Sequence, residues 1–224
     1  MIIIEPKAQP GRKHQIIYSE SLNFRKFLQH RRHFLIWKRV IDIVFSSLVI
    51  IFILSWLLPI IAVCIKLTSK GPIFFFQKRN KKNGGVFTCI KFRTMVVNKE
   101  ADVLPASHND YRITRLGRIL RNYHLDELPQ LFNVLKGDMS LIGPRPHMFT
   151  DNIKYEELFD FYVHRYSVKP GITGLAQVRG YVGSTEDAEK MKQRVKLDIF
   201  YIRHWSPALD TKIIFRTFLK MLGF

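Results

Sequence analysis

One uncharged stretch limits the possible folds of this chain more than any other feature. No charged residue occurs between Ile43 and Ile65. As a straight helix, residues 43–65 would be about 34 Å long at about 1.5 Å per residue, and the hydrocarbon core of a bilayer is about 30 Å thick. The stretch is therefore long enough to cross a membrane, and it predicts a membrane-embedded helix.

The flanks of this stretch leave two membrane topologies open. Six basic residues lie in the twenty positions before Asp42, and six more lie between residues 66 and 82 without any acid. A spanning helix takes its orientation from a difference in positive charge between its two sides, and these flanks offer none. Pro59 also removes a backbone hydrogen bond and favours a kink. Either a single spanning helix or a kinked, re-entrant helix satisfies the pattern.

The overall charge indicates an anionic partner. Lys and Arg number 36 against 18 Asp and Glu, which gives a formal net charge of +18. Such an excess is typical of proteins that bind nucleic acid, acidic lipid or phosphorylated substrates. Hydrophobic residues make up 47% of the chain, which is enough for a packed core. Two cysteines, Cys64 and Cys89, do not indicate a disulfide scaffold, so a reducing, cytoplasmic setting is expected.

Short strands alternate with helices after the apolar stretch, which predicts an α+β fold. The β-prone runs 73–77 and 86–92 flank Asn83-Gly84, a signal of a β-hairpin. Residues 98–112 are predicted to form a loop and residues 169–183 a turn-and-strand segment. Surface helices are expected at 113–121, 128–135, 150–165, from Ser184 and from Pro207.

Two basic amphipathic segments are candidates for contact with lipid. In the N-terminal arm, Phe24, Phe27 and Leu28 occur among basic residues, and a disordered tail is the alternative there. In the last helix, Lys212 and its basic partners at positions 216 and 220 recur every four residues opposite apolar ones. This spacing predicts an amphipathic helix that lies either on a membrane or on the solvated surface of the domain.

The strongest candidate for chemistry is the acid pair Asp126-Glu127, which precedes Pro129. Acids at the start of a helix often only complement the helix dipole. Here Pro129 fits a first helical turn, which would place both carboxylates beside free backbone N–H groups, where phosphate binds readily. Two carboxylates also suit Mg²⁺, which takes its remaining ligands from phosphate oxygens and water. An ionised Asp is in addition a competent nucleophile.

Candidate phosphate-binding cations lie on both sides of this pair. Arg145 stands between Pro144 and Pro146, which restrict its backbone, and its planar guanidinium suits bidentate phosphate binding. Lys91 and Arg93 alternate along a strand and so point the same way. The alternatives are a rigid turn with a solvated Arg and a wet strand face.

In combination and in this order, these motifs resemble the bacterial sugar transferase family, the monotopic polyprenyl-phosphate phosphoglycosyl transferases. The resemblance covers about residues 36–222. It rests on the following segments: Lys38-Arg39 with Asp42, Lys66 to Pro72, Lys91 to Met95, Asp126 to Ser140, Gly143 to Pro146, Lys169 to Gln177, and the pattern from Glu189 to Ser206.

The resemblance implies a reaction and roles for individual residues. It implies transfer of a hexose-1-phosphate from a UDP-sugar to undecaprenyl phosphate, with Asp126 as the nucleophile that forms a covalent intermediate. Glu127 matches the partner of Asp126 in binding Mg²⁺, the implied cofactor. Arg121 and Arg145 match residues that contact substrate phosphate, and Lys91 and Arg93 are candidates for the same role.

The resemblance also favours the re-entrant topology, with Lys38, Arg39, Asp42 and Pro59 positioning the helix. We therefore expect a monotopic protein on the cytoplasmic face of the bacterial inner membrane, attracted to anionic lipids. Its expected parts are a basic arm (residues 1–33), a re-entrant helix (34–68) and a cytoplasmic catalytic domain (69–224), with no further membrane helices. One departure stands out: the family breaks this helix at Ser-Pro, whereas Trp56 follows Ser55 here.

Two other functions compete with the enzyme. A non-catalytic, basic, membrane-anchored scaffold would be expected to have lost the acids or arginines, yet Asp126, Glu127, Arg121 and Arg145 are all present. A nucleic-acid binder would carry a recognisable reading module and a basic soluble face. Here the basic residues bracket the apolar stretch instead, so no nucleic-acid partner is expected.

Overall fold

The computed structural model describes residues 32–98, 110–183 and 187–221. Its first element is a long helix made of α1 (Arg32–Val49), a π-helical turn (Ile50–Leu54) and α2 (Ser55–Thr68). By length and composition, the segment His33–Thr68 is able to cross a membrane. Of the predicted arm, only Arg32 and His33 are described, and both belong to α1. Phe24, Phe27 and Leu28 lie outside the described residues.

The π-helical turn explains how the helix accommodates Pro59. Pro59 has no N–H to offer the carbonyl four residues earlier, and the turn directly before Ser55 changes the hydrogen-bond register, with the Ser55 N–H bonding the Ile50 carbonyl. The Ser55 hydroxyl donates to the Ile51 carbonyl at 2.5 Å. The irregularity thus lies ahead of Ser55, and the helix continues through Pro59 without interruption.

The predicted hairpin is present. Strands β1 (Phe74–Asn80) and β2 (Val86–Phe92) pair antiparallel. Asn83 and Gly84 both have positive φ, 62° and 73°, as the tight turn signalled by Asn-Gly requires. The first strand runs three residues further than predicted, which brings Arg79 into the sheet.

The middle of the chain contains a pair of strands, and only the second of them, within the predicted turn-and-strand segment, was expected from the sequence. Helix α3 (Arg115–Asn122) begins at its Thr114 cap, and helix α4 (Gln130–Lys136) follows a 3-10 turn. After α4, β3 (Ser140–Ile142) pairs in parallel with β4 (Gly171–Thr173). A β-carbon at position 171 would lie 2.1 Å from the Gly143 nitrogen, so the close approach of these backbones requires glycine.

The C-terminal half corrects two sequence predictions. Residues 150–165 do not form one helix: α5 (Phe149–Leu158) ends at Phe159, whose backbone is extended, and a 3-10 segment follows at Tyr162–Ser167. Helix α6 (Leu175–Val178) interrupts the predicted turn-and-strand segment. The sequence predicted a helix from Ser184, which lies outside the described residues. The residue that caps α7 (Ala188–His204) is Asp187. Helix α8 (Pro207–Met221) begins at the predicted proline.

The long helix packs against the rest of the molecule near both of its ends. Close to its N-terminus, buried Asp42 accepts hydrogen bonds from the Ser140 hydroxyl and the Leu141 N–H, at 3.1 and 2.9 Å. In its second half, Leu54, Ile61 and Ile65 form a buried cluster with side chains of β2 and α3. The opposite face of the helix exposes large apolar residues.

Candidate active site

An open pocket of about 540 Å³ brings the predicted site residues together. Its walls come from the hairpin, from the chain between α3 and α4, from residues 145–148 and from α7. Six cationic side chains and three carboxylates line it: Arg79, Lys91, Arg93, Arg121, Arg145, Arg194, Asp126, Glu127 and Asp151. The lining is therefore strongly basic, which suits an anionic ligand.

The sequence predicted the acid pair at the start of α4. In the structure the pair lies on a separate 3-10 turn before that helix. The turn covers Leu125–Glu127 and is preceded by His124 in the left-handed conformation, with φ of 55°. A non-glycine residue in this region is uncommon and often marks a functional turn. The sharp reversal at His124 directs the two carboxylates into the pocket, with Pro129 as the residue before α4.

Glu127 is held by two cations. Its Oε1 accepts a hydrogen bond from the Lys91 ammonium at 2.8 Å, and the Arg145 guanidinium binds both carboxylate oxygens, with Nη1 at 2.9 Å from Oε2. Burial alone would raise the pKa of Glu127, but the charges of Arg145 and Lys91 outweigh it and hold the pKa well below its usual value. Glu127 is therefore ionised in the folded protein.

Asp126 differs from its neighbour because no cation is paired with it. It is 8% exposed and lines the pocket, and it makes no ion pair with any residue in the part of the chain that the structure describes. Burial raises its pKa, and the charge of Glu127 acts in the same direction against Lys91, Arg121 and Arg145. The pair thus consists of one carboxylate neutralised by cations and one still open to a ligand.

The other predicted cations, Arg121 and Arg93, differ in how many of their hydrogen-bond donors are already bound to protein groups. The Arg121 Nε donates to the Thr94 hydroxyl at 2.8 Å, which leaves the Nη groups of Arg121 at the pocket. The Nη atoms of Arg93 instead donate to the carbonyls of Ser69 and Lys70, the former at 2.8 Å. Arg93 therefore holds the chain at the end of α2 while it also lines the pocket, and its predicted phosphate contact stays a prediction.

The predicted positioning residues of α1 all contact the globular part. Lys38 pairs with Asp210 of α8 at 2.6 Å. Arg39 donates to the carbonyls of Val134 and Leu135 at 2.5 and 2.7 Å, in the last turn of α4, where carbonyls lack partners within the helix. Together with Asp42, these side chains fix the helix against the elements that follow the acid pair.

A buried polar network supports the backbone of Arg145. The Arg165 guanidinium donates to the Arg145 carbonyl and contacts the imidazole of His147, while its Nε donates to Asp198 at 2.8 Å. Burial, followed by the charge of Arg165, holds the pKa of His147 well below its usual value, so its ring is neutral. The loop that carries Arg145 is thus rigidly supported from behind.

Sequence reasoning did not select Arg79, Asp151 or Arg194 as site residues, although all three line the pocket. A signal for Arg194 was present in the sequence. Arg194 falls three residues after Met191 and one before Val195, on the apolar side of α7, and a cation at a buried position commonly serves a site. Arg79 gave no comparable signal because β1 was predicted to end before it.

A metal ion at this site would depend on its ligand for most of its coordination. No cluster of three or more His, Cys, Asp or Glu that could hold a metal occurs among residues 32–98, 110–183 and 187–221. Asp126 is open, and the Glu127 oxygens retain lone pairs beside their bonds to Arg145 and Lys91. The two carboxylates therefore fit Mg²⁺, which takes one or two carboxylates and completes its shell with phosphate oxygens and water.

Comparison with known proteins places the chain in a family. A family model described as "Bacterial sugar transferase" matches residues 33–223. The chain is 49% identical over 187 residues to a UDP-glucose:undecaprenyl-phosphate glucose-1-phosphate transferase of Klebsiella pneumoniae, covering 83% of this chain and 40% of that protein. It is 47% identical over 186 residues to a transferase of the same name from Caulobacter vibrioides, covering 83% and 69%.

A relative of similar length also matches. The chain is 43% identical over 193 residues to the exopolysaccharide production protein PSS of Rhizobium leguminosarum bv. phaseoli, and the alignment covers 84% of this chain and 96% of that protein. By contrast, the chain spans less than half the length of several other relatives, including 34% and 39% of those from Xanthomonas campestris and Escherichia coli.

Proposed function

Because the chain belongs to the bacterial sugar transferase family, we propose that it transfers a hexose-1-phosphate from a UDP-sugar to undecaprenyl phosphate and so initiates polysaccharide or glycoconjugate synthesis. Relatives that match more than four-fifths of this chain carry names for this reaction with UDP-glucose. The observation that carries the proposal is the pairing in one basic pocket of an open carboxylate, Asp126, with a neutralised one, Glu127.

The proposed reaction has two displacements at one phosphorus atom. In the first, a carboxylate oxygen of Asp126 attacks the sugar-bearing phosphorus of the UDP-sugar. The bond from that phosphorus to the bridging oxygen breaks, and UMP leaves with the electron pair. In the second, an oxygen of undecaprenyl phosphate attacks the same phosphorus and the Asp126 carboxylate leaves. A covalent intermediate of this kind predicts ping-pong kinetics.

The surrounding cations account for the two different roles of the carboxylates. Glu127 holds Arg145 and Lys91 in place by direct ion pairs, so these cations are preorganised beside the reacting phosphoryl group. Asp126 has no such partner in the described parts of the chain, and its carboxylate is therefore the more available nucleophile. Arg121, oriented by Thr94, supplies a further positive charge on the Asp126 side of the pocket.

Mg²⁺ is the proposed cofactor. Glu127 would hold the ion, with Asp126 on the same turn, and the bound ion would supply positive charge that offsets the negative charge of the donor phosphates. Its requirement is tested by removing divalent cations with a chelator and restoring Mg²⁺.

We also propose that the long helix is re-entrant and that the protein is monotopic on the cytoplasmic face of the inner membrane. Asp42 near one end and Ile65 at the other both pack against the same globular part. A helix that crossed the bilayer would place these two contacts on opposite sides of the membrane. The basic residues at both ends would then lie near anionic headgroups on one face.

A direct assay tests the proposed activity. Membranes containing the protein are incubated with radiolabelled UDP-glucose or UDP-galactose, undecaprenyl phosphate and Mg²⁺, and label is measured in the lipid fraction together with UMP release. We expect transfer for the unmodified protein and none for Asp126→Asn at equal membrane abundance. Substantial transfer by Asp126→Asn would contradict the assignment of the nucleophile, and no transfer by the unmodified protein with any UDP-hexose or UDP-N-acetylhexosamine would contradict the proposed function.

A further inference from the structure

Arg194 is a buried cation of the pocket that has no acidic partner among the described residues. Arg194 of α7 is 5% exposed, and its Nε has no hydrogen-bond partner among the described residues. In the part of the chain that the structure describes, its Nη2 reaches only the Gly183 carbonyl, at 3.4 Å, which is beyond a normal hydrogen bond. A buried charge without a partner is costly, so its retention on the wall of a pocket calls for a ligand.

The described acid that acts most strongly on Arg194 is already in use. Asp198, one turn further along α7, accepts a hydrogen bond from the Arg165 Nε at 2.8 Å and forms a buried ion pair with it. The charge of Asp198 partly offsets that of Arg194 through space, but burial still lowers the pKa of Arg194, and Arg145 and Arg165 add to this effect. Arg194 therefore lies in a region of excess positive charge that an anion would relieve.

Arg194 reaches the pocket from a different element than the acid pair does. Arg194 lies on α7, whereas Asp126 and Glu127 lie on the 3-10 turn between α3 and α4. Arg145 connects the two regions, because it pairs with Glu127 and its carbonyl accepts a hydrogen bond from Arg165, the partner of Asp198 one turn from Arg194. The pocket thus has one positive region at Asp126 and a second at Arg194, with Arg145 between them.

We propose that Arg194 forms a second phosphate subsite with Arg145, separate from the position of the phosphoryl group attacked by Asp126. The ligand is a terminal or bridging phosphate, which the planar guanidinium groups bind by paired hydrogen bonds. This inference rests on the proposed function, which brings two such groups to the pocket: the phosphate that leaves in UMP and the phosphate of the lipid acceptor.

Binding measurements with purified full-length protein in detergent test the subsite. UMP affinity is measured by calorimetry, and the KM for undecaprenyl phosphate by turnover, for the unmodified protein, Arg194→Gln and Arg194→Lys. Lys196→Gln is the matched control, because it removes one positive charge from an exposed position on the same helix. A charge-assisted hydrogen bond contributes about 1.5–3 kcal/mol, so Arg194→Gln should weaken binding roughly ten- to hundredfold.

The two measurements distinguish the possible ligands. A weaker UMP affinity assigns the subsite to the leaving nucleotide, whereas a raised lipid KM with unchanged UMP affinity assigns it to the acceptor. Arg194→Lys should fall between, and Lys196→Gln should stay within about twofold of the unmodified protein, since exposed charges contribute little. The proposal is wrong if folded Arg194→Gln changes neither value by more than about twofold.

The subsite can still be tested if Arg194→Gln does not fold or if the protein shows no turnover. If Arg194→Gln does not fold, Arg194→Lys decides, because it keeps the charge but not the planar fork, and unchanged UMP and lipid values would then count against the subsite. UMP binding is measured without turnover. A wild-type protein that binds UMP through Arg194 but transfers no sugar phosphate would refute the proposed function while leaving the subsite intact.

Discussion

At the scale of single residues, the site depends on the contrast between two adjacent carboxylates. Both are buried, yet Glu127 is paired with Arg145 and Lys91, while Asp126 has no cation bound to it among the described residues. Burial and the Glu127 charge raise the pKa of Asp126, whereas the two cations lower that of Glu127 despite its burial. The sequence identified the two carboxylates and the nearby cations. It did not show which carboxylate the cations bind, because this depends on which side chain Arg145 reaches.

The contrast predicts opposite stability changes for two conservative variants. The pKa of Asp126 is higher in the folded protein than in the unfolded chain, so its ionised form destabilises the fold near neutral pH. Asp126→Asn should therefore raise the melting temperature at pH 7, and the gain should shrink as the pH falls and Asp126 becomes protonated. Thermal unfolding in detergent between pH 7 and pH 4 measures both effects.

Glu127→Gln provides the opposite case. The pKa of Glu127 is lower in the folded protein than in the unfolded chain. Its ionised form therefore stabilises the fold above the unfolded pKa, and this stabilisation is lost as the pH falls through the folded pKa. Removing the charge leaves Arg145 and Lys91 without their partner, at a cost of about 3–5 kcal/mol. A melting temperature that falls for Asp126→Asn and rises for Glu127→Gln would contradict the charge distribution described for the pair.

At the scale of elements, much of the local structure follows from the sequence, and the exceptions have physical causes. The hairpin was predicted because Asn83 and Gly84 adopt the positive φ that their residue types favour. The pairing of β3 with β4 was not predicted, because parallel strands that are distant in sequence have no turn signal between them. The break after Leu158 was missed because Phe159 and Phe161 continue the apolar pattern, although they stack on each other outside α5.

The packing of α3 on Thr94, two residues after the end of β2, gives an element-scale prediction. A β-carbon at Gly117 would lie 1.9 Å from the Thr94 carbonyl oxygen. Gly117→Ala must push α3 away from Thr94, which orients Arg121. We expect a destabilisation of about 1–3 kcal/mol and a lower kcat/KM, measured by denaturation and by the transfer assay.

Gly85→Ala is the control for this variant. Gly85 has a negative φ of −62°, and its nearest β-carbon contact is the flexible Lys81 side chain at 3.4 Å. It should therefore keep stability and activity close to those of the unmodified protein. Equal losses for both variants would mean that the contact between α3 and Thr94 has no special role.

At the scale of the whole molecule, the long helix joins its exposed apolar face to the elements around the site. Its polar residues Lys38, Arg39 and Asp42 bind α8, α4 and β3, and Arg93 holds the carbonyls just beyond its other end. The sequence predicted the helix and three of these positioning residues. It could not place the π-helical turn, because the family's Ser-Pro break is absent and only the hydrogen-bond pattern around Ser55 reveals the shift.

Labelling of introduced cysteines tests the membrane topology. In a background with Cys64 and Cys89 replaced by alanine, single cysteines are placed at His33 and Leu67, both exposed at opposite ends of the helix. A re-entrant helix predicts that a membrane-impermeant maleimide labels both in inverted vesicles and neither in intact spheroplasts. Labelling of one end from each side would indicate a spanning helix and contradict the proposed topology.

The central claim is that the Asp126 carboxylate bonds to phosphorus during turnover. Purified protein is incubated with a UDP-hexose and Mg²⁺ without lipid acceptor, quenched, and analysed by intact-protein and peptide mass spectrometry. We expect a mass increase of one hexose phosphate, located on Asp126, absent from Asp126→Asn and released when undecaprenyl phosphate is added. Rapid turnover without any adduct on the trapped enzyme, or an adduct located on Glu127, would contradict it.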